Sequence, residues 1–207
     1  MSCKTSRVAN ALVGSGALKF GAFTLKSGVT SPYYIDLTWL LSSPKDFQCI
    51  VDAVADEIRD ILSSRRVDKL ASIELKGALL LPSIAGKLKL SCLVVRKTAK
   101  GYGVKGRVVG GAVKEGEHIL FFDDVVSSAE SKFEGIKPLE ELGGTIEVVL
   151  VVVDREQGGK RTLEARGYEL RAVTTISELV ESLLESNRIT RTQADDILYF
   201  TAGPRQA

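Results

Sequence analysis

Two short, almost uninterrupted apolar runs constrain the fold of this chain more than any other feature. They are residues 118–122 (HILFF) and 148–153 (VVLVVV), and neither shows the polar alternation of a half-buried strand. Strands that are apolar on both faces belong inside parallel sheets, where helices cover each side. Residues 131–142, between the two runs, have the length of a crossover helix. The pattern therefore predicts an α/β fold with a mainly parallel central sheet flanked by helices.

Other predicted elements alternate around these two strands. A helix should begin at Pro44, with Ser43 as its N-cap, because apolar residues follow at helical spacing as far as Leu62. Residues 97–113 are rich in Gly, Lys and Arg and are predicted to form a mobile loop. We also expect strands at 69–73, 92–96 and 168–173, and helices at 77–88, 176–186 and 190–200.

The first 40 residues differ from this alternating pattern. An amphipathic helix is predicted at 6–18, followed by two strands around a Lys-Ser-Gly turn. The chain is therefore divided into an N-terminal cap at 1–40, an α/β core at 41–187 and a C-terminal helix or tail at 188–207. The sequence of the tail suggests no function.

Composition excludes several classes of function. The 207 residues carry a net charge of +2, so no strong field attracts nucleic acid or a membrane surface. No apolar run approaches the roughly 18 residues that span a bilayer, and the first residues show no signal peptide. The three cysteines match no metal or redox spacing and are expected to be reduced thiols in a cytoplasmic protein.

Residues 118–131 contain the strongest chemical signal. The strand is followed by Asp123 and Asp124, then by a turn with Ser127 and Ser128, and a helix should start near Ser131. Ligands of open α/β sheets bind at the carboxyl ends of strands, and N–H groups at a helix start favour phosphate. The carboxylates could accept hydrogen bonds from ribose hydroxyls. The alternative is a buried strand end and a serine that only caps a helix.

FFDDVVSSAES, residues 121–131, resembles the ribose-phosphate signature of the type I phosphoribosyltransferases. The resemblance implies binding of phosphoribosyl pyrophosphate by Asp123, Asp124, Val125, Val126, Ser127, Ser128, Ala129, Glu130 and Ser131. Two positions depart from the signature, because Ala129 replaces the usual glycine and Glu130 replaces a small residue. If position 129 needs a positive φ, alanine costs roughly 1–2 kcal/mol there. Glu130 would repel a phosphate if its side chain faced it.

Four further segments, in order along the chain, resemble the orotate phosphoribosyltransferase family. Residues 18–36 are similar to the N-terminal cap of that family, which implies that Lys26 reaches the active site and that Tyr34 and Ile35 line the base pocket. The segment VVDREQGG implies that Arg155 grips the orotate carboxylate, since a guanidinium matches a planar carboxylate. The orotate-binding residues implied are Lys26, Tyr34, Ile35, Ser127 and Arg155.

The other two segments are basic. Residues 74–85 resemble a pyrophosphate loop with Lys76, where Gly77 would allow a ligand to approach the backbone closely, and residues 95–106 resemble a mobile catalytic loop. The resemblance implies catalytic roles for Arg96, Lys97 and Lys100. It implies contact of phosphoribosyl pyrophosphate with Lys26, Lys76, Arg96, Lys97, Lys100 and Tyr102. The alternative is a solvated basic loop; the absence of interleaved aromatic residues disfavours nucleic acid as its partner.

Together the resemblance implies transfer of ribose 5-phosphate from phosphoribosyl pyrophosphate to orotate, giving orotidine 5′-monophosphate and pyrophosphate. The implied cofactor is Mg²⁺, held mainly through the substrate, with Asp123 and Asp124 as candidate protein ligands. The implied assembly is a homodimer whose catalytic loop is shared between subunits, without nucleic acid or membrane. Two alternatives stay open: a phosphoribosyltransferase for another base, and a regulatory or partner subunit with weakened catalysis, which Ala129 and Glu130 suggest.

Overall fold

The structure is a computed structural model that describes residues 3–24, 28–98 and 106–203. Near the N-terminus, β1 (Leu18–Thr24) and β2 (Thr30–Ile35) form an antiparallel hairpin. A second sheet has six strands in the order β5-β4-β3-β6-β7-β8. These strands are β3 (Lys69–Ile73), β4 (Ser91–Val95), β5 (Val108–Val109), β6 (Ile119–Val126), β7 (Val148–Asp154) and β8 (Glu169–Thr175).

Helices connect and cover the strands. Within the described residues they are α1 (Cys3–Gly14), α2 (Pro44–Leu62), α3 (Lys76–Leu88), α4 (Glu130–Glu140), α5 (Gly159–Glu164), α6 (Ile176–Glu185) and α7 (Arg191–Ala202). A short 3-10 helix covers Leu37–Ser42. None of the helices in these described ranges is long and apolar enough to cross a membrane.

The large sheet is buried on both faces, as the two apolar runs predict. Along β6, Phe122 packs into one apolar cluster and Phe121 into the other, and Val152 and Val151 alternate in the same way along β7. Every pair of neighbouring strands is parallel except β4 and β5. The prediction of an α/β fold with a mainly parallel sheet is confirmed.

Several predicted boundaries were wrong. Strand β6 does not stop at Phe122 but continues through the acid pair to Val126, because its parallel pairing with β7 continues as far as Asp154. The first helix begins at Cys3 and ends at Gly14, since Leu18 already pairs with Ile35 in the hairpin. The acids predicted to end the strand therefore lie within it.

The predicted loop at 97–113 also contains regular structure. Val108 and Val109 pair antiparallel with Val95 and Val94, which makes β5 an edge strand of the sheet. Next to this pair, the backbone N–H of Arg96 donates to the carbonyl of residue 107 at 2.8 Å. Residues 99–105 lie outside the described part of the chain, so mobility of the loop stays a prediction.

The N-terminal elements share an apolar core with the sheet. Helix α1 packs on α2 and α6, and β2 packs on α7. The short helix Leu37–Ser42 crosses the predicted boundary at residue 40. The division into 1–40, 41–187 and 188–207 therefore stays a prediction. Ser43 precedes α2 as expected, but its hydroxyl donates to Asp46 Oδ2 at 2.6 Å instead of capping the helix.

The packing of α4 on the sheet leads to a first prediction. A Cβ at Gly135 would lie 2.5 Å from Phe121 Cζ and 3.0 Å from Ile73 Cβ, and the Phe121 side chain is fully buried. Gly135→Ala should therefore lower the free energy of unfolding by about 1–2 kcal/mol, because overpacking outweighs the gain in helix propensity. Urea denaturation would measure the change.

Gly86 is the matched control. It lies on an exposed turn of α3, and a Cβ at this position would have no other atom within 4 Å. Gly86→Ala should raise the free energy of unfolding by about 0.5–1 kcal/mol. Equal effects at the two positions would contradict the close approach of α4 to Phe121.

Candidate active site

The candidate site lies where the direction of the sheet connections reverses. Strands β3 and β6 are neighbours, but the chain leaves β3 towards β4 on one side and leaves β6 towards β7 on the other. Such a reversal opens a crevice at the carboxyl ends of the two strands, where ligands of open α/β sheets bind. Residues 74–77 follow β3, and residues 127–131 follow β6. The two segments predicted to hold pyrophosphate and ribose phosphate thus meet at one edge.

Gly77 brings α3 unusually close to β6. A Cβ at this position would lie 2.5 Å from Ser72 Oγ, 2.6 Å from Asp123 Oδ1 and 2.8 Å from Asp123 Cα. One of these is a backbone atom, so a side-chain rotation could not relieve the overlap. Gly77 was predicted to allow a ligand to approach the backbone closely. In the structure it allows Asp123 to approach the backbone of α3.

The two acids of the site are buried next to each other. Asp123 and Asp124 are 5% and 8% exposed, and the Asp124 N–H donates to Asp123 Oδ1 at 2.9 Å. Lys132 supplies a buried counter-charge, with Nζ 2.7 Å from Asp123 Oδ2. Its ammonium also donates to the carbonyl of Val125 at 2.6 Å and to Ser131 Oγ at 3.3 Å. Lys132 therefore ties the first turn of α4 back to the end of β6.

The neighbouring carboxyl, Asp124, has a strongly perturbed pKa. Burial raises it first, repulsion by Asp123 raises it further, and the charges of Lys132 and Lys76 oppose both, so that the pKa of Asp124 is about 7. Burial of a charged group without full compensation has this effect on any acid. Near neutral pH, Asp124 can therefore exist in both protonation states.

Lys76 faces this acid pair from the start of α3. Its Nζ lies 3.2 Å from Asp36 Oδ1, at the end of the hairpin. Burial lowers the pKa of Lys76, but the hydrogen bond to Asp36 and the charges of Asp124 and Asp36 outweigh burial, so the pKa is raised. The side chain is partly exposed and stays charged at neutral pH. A cation thus lies near the acid pair, and the role of Lys76 in binding pyrophosphate stays a prediction.

The phosphate-loop segment, residues 127–131, has the backbone conformation that its usual glycine would favour. Ala129 has φ +72° and is buried, so this alanine adopts the left-handed region at a cost of roughly 1–2 kcal/mol. Glu130 begins α4 with an exposed side chain. The hydroxyl of Ser128 lies 3.4 Å from Glu130 Oε2. The Glu130 carboxylate can therefore accept a hydrogen bond from Ser128 of the same loop, and it is also exposed to solvent.

A second glycine, Gly159, allows the segment after β7 to pack closely against this loop. A Cβ at Gly159 would lie 2.5 Å from the carbonyl oxygen of Ser127. Arg155 lies on the same connection, and its N–H donates to the carbonyl of Val126 at 3.0 Å. The end of β7 is thereby fixed beside the phosphate loop, which places Arg155 next to Ser127 along this edge.

The Arg155 side chain is held by an aromatic residue of the hairpin. Its Nε donates to the Tyr33 hydroxyl at 3.0 Å, and its guanidinium carbon lies 4.8 Å from the Tyr33 ring centroid. Its Nη2 is buried and has no hydrogen-bond partner among the described residues. Buried donors in proteins are normally paired. An unpaired guanidinium nitrogen in a crevice is suited to an anionic oxygen of a ligand.

The hairpin residues predicted to line a base pocket are on opposite faces. Side chains alternate along a strand, so Tyr34 and Ile35 point away from each other. Tyr34 is 38% exposed and packs on Phe23, with ring centroids 5.7 Å apart. Ile35 packs against the apolar core together with the buried Tyr33. A shared base-pocket role for Tyr34 and Ile35 stays a prediction.

The predicted catalytic cations are only partly described. Arg96 and Lys97 follow β4 at the same edge of the sheet, and the Lys97 N–H donates to Glu74 Oε1 at 2.7 Å. This bond joins the start of the basic loop to the pyrophosphate segment. The predictions for Lys26, Lys100 and Tyr102 fall on residues outside the described ranges.

Sequence reasoning missed three residues of this site. Tyr33 could have been found from strand alternation, because it lies on the inward face of the SPYY segment. Asp36 ends that same segment, but its partner Lys76 lies 40 residues further along the chain, so no local pattern indicates their ion pair. Lys132 follows the phosphate loop directly, but nothing in its spacing indicates that its ammonium turns back to Asp123.

Several known proteins with similar sequences and structures are orotate phosphoribosyltransferases. An orotate phosphoribosyltransferase of Methanopyrus kandleri is 36% identical over 179 residues, which cover 86% of this chain and 93% of that protein. The crystal structure of orotate phosphoribosyltransferase from Aeropyrum pernix has a TM-score of 0.75 and 28% identity, and the match covers 85% of this chain and 97% of that chain. No protein-family model matches the chain.

A longer protein also contains this fold. The UMP synthase of Leishmania donovani matches with a TM-score of 0.84 and 31% identity. The match covers 96% of this chain but only 42% of that protein.

The buried ion pair leads to a prediction on stability. Lys132→Met leaves Asp123 buried without its counter-charge and should lower the free energy of unfolding by about 3–5 kcal/mol. The double variant Lys132→Met, Asp123→Asn should recover most of this loss, because neither charge remains. Urea denaturation of both variants would measure the coupling.

Lys137→Met is the control on the same helix. Lys137 is exposed, and its Nζ lies 3.8 Å from Glu141 Oε1. This change should alter the free energy of unfolding by no more than about 0.5 kcal/mol. If the double variant were as unstable as Lys132→Met, the loss would not come from the unpaired charge.

The raised pKa of Asp124 predicts a pH-dependent stability. Between pH 4 and 7 the unfolded chain ionises this acid while the folded chain keeps its proton, so stability is lost as pH rises. The free energy of unfolding, relative to that of Asp124→Asn, should fall by on the order of 2 kcal/mol between pH 5 and 8. The comparison with the variant removes the contribution of the other acids. A flat difference, or one that rises with pH, would contradict the assignment.

Proposed function

The chain belongs to the orotate phosphoribosyltransferase family, and we infer that it transfers ribose 5-phosphate from phosphoribosyl pyrophosphate to N1 of orotate. The products are orotidine 5′-monophosphate and pyrophosphate, and the enzyme is a pentosyltransferase. The observation that carries the choice of base is the unpaired, buried Nη2 of Arg155. Orotate is a pyrimidine base with a carboxylate, and this nitrogen could donate to one of its oxygens.

The remaining described residues suit the sugar and its two phosphate groups. The acid pair Asp123-Asp124 lies where ribose hydroxyls could donate to carboxylate oxygens. The 5′-phosphate fits the N–H groups and hydroxyls of residues 127–131 at the start of α4. Lys76 stands opposite, where the pyrophosphate would leave. These elements bind and orient the substrate, and such positioning accounts for much of the catalysis of group transfer.

The charges that develop as the bond between ribose and pyrophosphate breaks indicate the role of the basic residues. As the bond to pyrophosphate breaks, negative charge collects on the leaving group and positive charge on the ribose. Lys76, Arg96 and Lys97 would stabilise the leaving group, and Lys26, Lys100 and Tyr102 are proposed to join them. Fixed cations in a crevice with little water stabilise such charge strongly. The acid pair would favour the positively charged ribose.

We propose Mg²⁺ as the cofactor, brought in with phosphoribosyl pyrophosphate. Magnesium is commonly held by substrate phosphates with few protein ligands. The described residues fit this mode, because Lys132 already occupies one oxygen of Asp123 and the acid pair would offer the ion few free ligand oxygens. When bound, the ion neutralises pyrophosphate charge. The protein residues position the substrate around it.

The proposed assembly is a homodimer in the cytoplasm. The basic loop that follows Lys97 is expected to reach the site of the partner subunit, by resemblance to the family. A cytoplasmic location suits the described cysteines, Cys49 and Cys92, which are both free thiols. Nucleic acid and membranes are not proposed as partners.

One observation favours a second candidate, a regulatory or partner subunit with weakened catalysis. Ala129 adopts a positive φ at the centre of the phosphate loop, and Glu130 adds a negative charge beside it. Both features would reduce phosphate affinity rather than abolish the site. A phosphoribosyltransferase for another base is less well supported, since a base without a carboxylate could offer Arg155 Nη2 only an uncharged oxygen or nitrogen acceptor, which forms a weaker hydrogen bond.

The activity is tested by mixing the full chain with orotate, phosphoribosyl pyrophosphate and Mg²⁺ and following the loss of orotate absorbance. We expect turnover, and we expect Arg155→Lys to raise the KM for orotate about tenfold, because lysine cannot reproduce the planar guanidinium. The KM for phosphoribosyl pyrophosphate should stay within about twofold.

A base panel and one loop variant separate the alternatives. Turnover of a purine but not of orotate would contradict the proposed base. No turnover by the natural sequence, with turnover restored by Ala129→Gly together with Glu130→Gly, would favour the weakened subunit. Without turnover in either protein, the proposed function would be wrong.

A further inference from the structure

We propose that Tyr33 and the C-terminal helix α7 act as positioning residues that fix the orientation of Arg155 towards the carboxylate of the base. This inference rests on the proposed function. It gives α7, which carries no recognisable motif, a place in base selection. It also gives a role to Tyr33, the residue of the SPYY segment that sequence reasoning did not assign to the site.

Tyr33 contacts Arg155 through both its hydroxyl and its ring. Tyr33 is fully buried, and its hydroxyl accepts a hydrogen bond from Arg155 Nε. The same ring lies beneath the guanidinium, with 4.8 Å between the centroid and the guanidinium carbon. One residue thus constrains both the rotation of the guanidinium about its stem and the tilt of its plane.

The contact with Tyr33 uses one nitrogen of the Arg155 guanidinium and leaves Nη2 without a partner among the described residues. Nε is occupied by the Tyr33 hydroxyl, whereas Nη2 is a buried nitrogen of this guanidinium that still has an unused donor. A guanidinium that is already oriented loses less freedom on binding than a mobile one, so its hydrogen bond contributes more to affinity. Without the hydroxyl, Arg155 could rotate, and the carboxylate would lose its preorganised donor.

Tyr33 is held in place by its own strand and by helix α7. On the strand, Ser31 Oγ donates to the Tyr33 carbonyl at 2.7 Å. On the other side, the ring of Phe200 in α7 meets the Tyr33 ring edge-to-face, with centroids 6.0 Å apart. Helix α7 packs on β2 and adds Ile197 and Ala194 to the same apolar cluster. Helix α7 therefore provides one of the surfaces that hold the Tyr33 ring in position.

The inference is tested with Tyr33→Phe, which removes the hydroxyl and keeps the ring, and with Phe200→Leu, which keeps an apolar side chain but loses the edge-to-face contact. Steady-state kinetics would give KM for orotate, KM for phosphoribosyl pyrophosphate and kcat. Tyr33→Phe should raise the KM for orotate about tenfold. Phe200→Leu should raise it about threefold. Neither should change the KM for phosphoribosyl pyrophosphate more than about twofold.

A second measurement distinguishes positioning from general loss of structure. The ratio of kcat/KM for orotate to that for uracil, which lacks the carboxylate, should fall about tenfold in Tyr33→Phe, because only orotate depends on Arg155. Tyr199→Phe is the matched control: Tyr199 neighbours Phe200 on α7 but is 77% exposed. That variant should keep both KM values and the ratio.

The outcomes separate this inference from the proposed function. If Arg155→Lys impairs orotate use but both Tyr33→Phe and Phe200→Leu leave the selectivity ratio unchanged, the inference is overturned while the function stands. A parallel rise of both KM values would also overturn it, as would an equal loss for both bases. If Tyr33→Phe does not fold, Phe200→Leu alone decides by the same ratio. No use of orotate by the natural sequence would overturn the function and this inference together.

Discussion

The ends of β3 and β6 meet around two adjacent buried carboxylates, and this burial constrains the surrounding elements. Asp123 and Asp124 repel each other in a region with little water, which is costly without compensation. The compensation comes from two lysines: Lys132 reaches back from α4, and Lys76 faces the pair from α3. Gly77 allows the close approach of α3 to Asp123, because no side chain lies between them. The crevice can therefore hold two adjacent acids at the point where a ribose is expected to bind, although the pKa of Asp124 remains raised to about 7.

The same arrangement accounts for how the phosphate loop tolerates its unusual residues. Ala129 has a positive φ, and the loop could relax if its ends were free. Lys132 joins the first turn of α4 to the Val125 carbonyl, and Gly159 packs the next connection against Ser127. Both ends of the strained segment are thus fixed by contacts outside it. Strained backbone persists in proteins when the surrounding structure holds it in this way.

The proposed recognition of the base depends on a different part of the molecule. Arg155 follows the core strand β7, but the hairpin and α7 determine where its guanidinium points, through Tyr33 and Phe200. The hairpin also supplies Asp36, which holds Lys76. An N-terminal cap and a C-terminal helix, far apart in the chain, therefore act on the two cations that would contact the base and the leaving group.

The sequence by itself determined the fold class and all the strands of the large sheet except β5, and it proposed the segments that carry chemistry. It could do so because apolar runs, helical spacing and strand-end acids are local patterns, and a strand buried on both faces has few alternatives. The end of β6 could not be predicted from local sequence, because pairing with β7 extends the strand beyond Asp123 and Asp124. Only the tertiary structure decided that Lys132 pairs with Asp123, that Gly77 admits Asp123, and that Tyr33 orients Arg155. These contacts join residues from different elements, and their geometry depends on how the helices pack on the sheet.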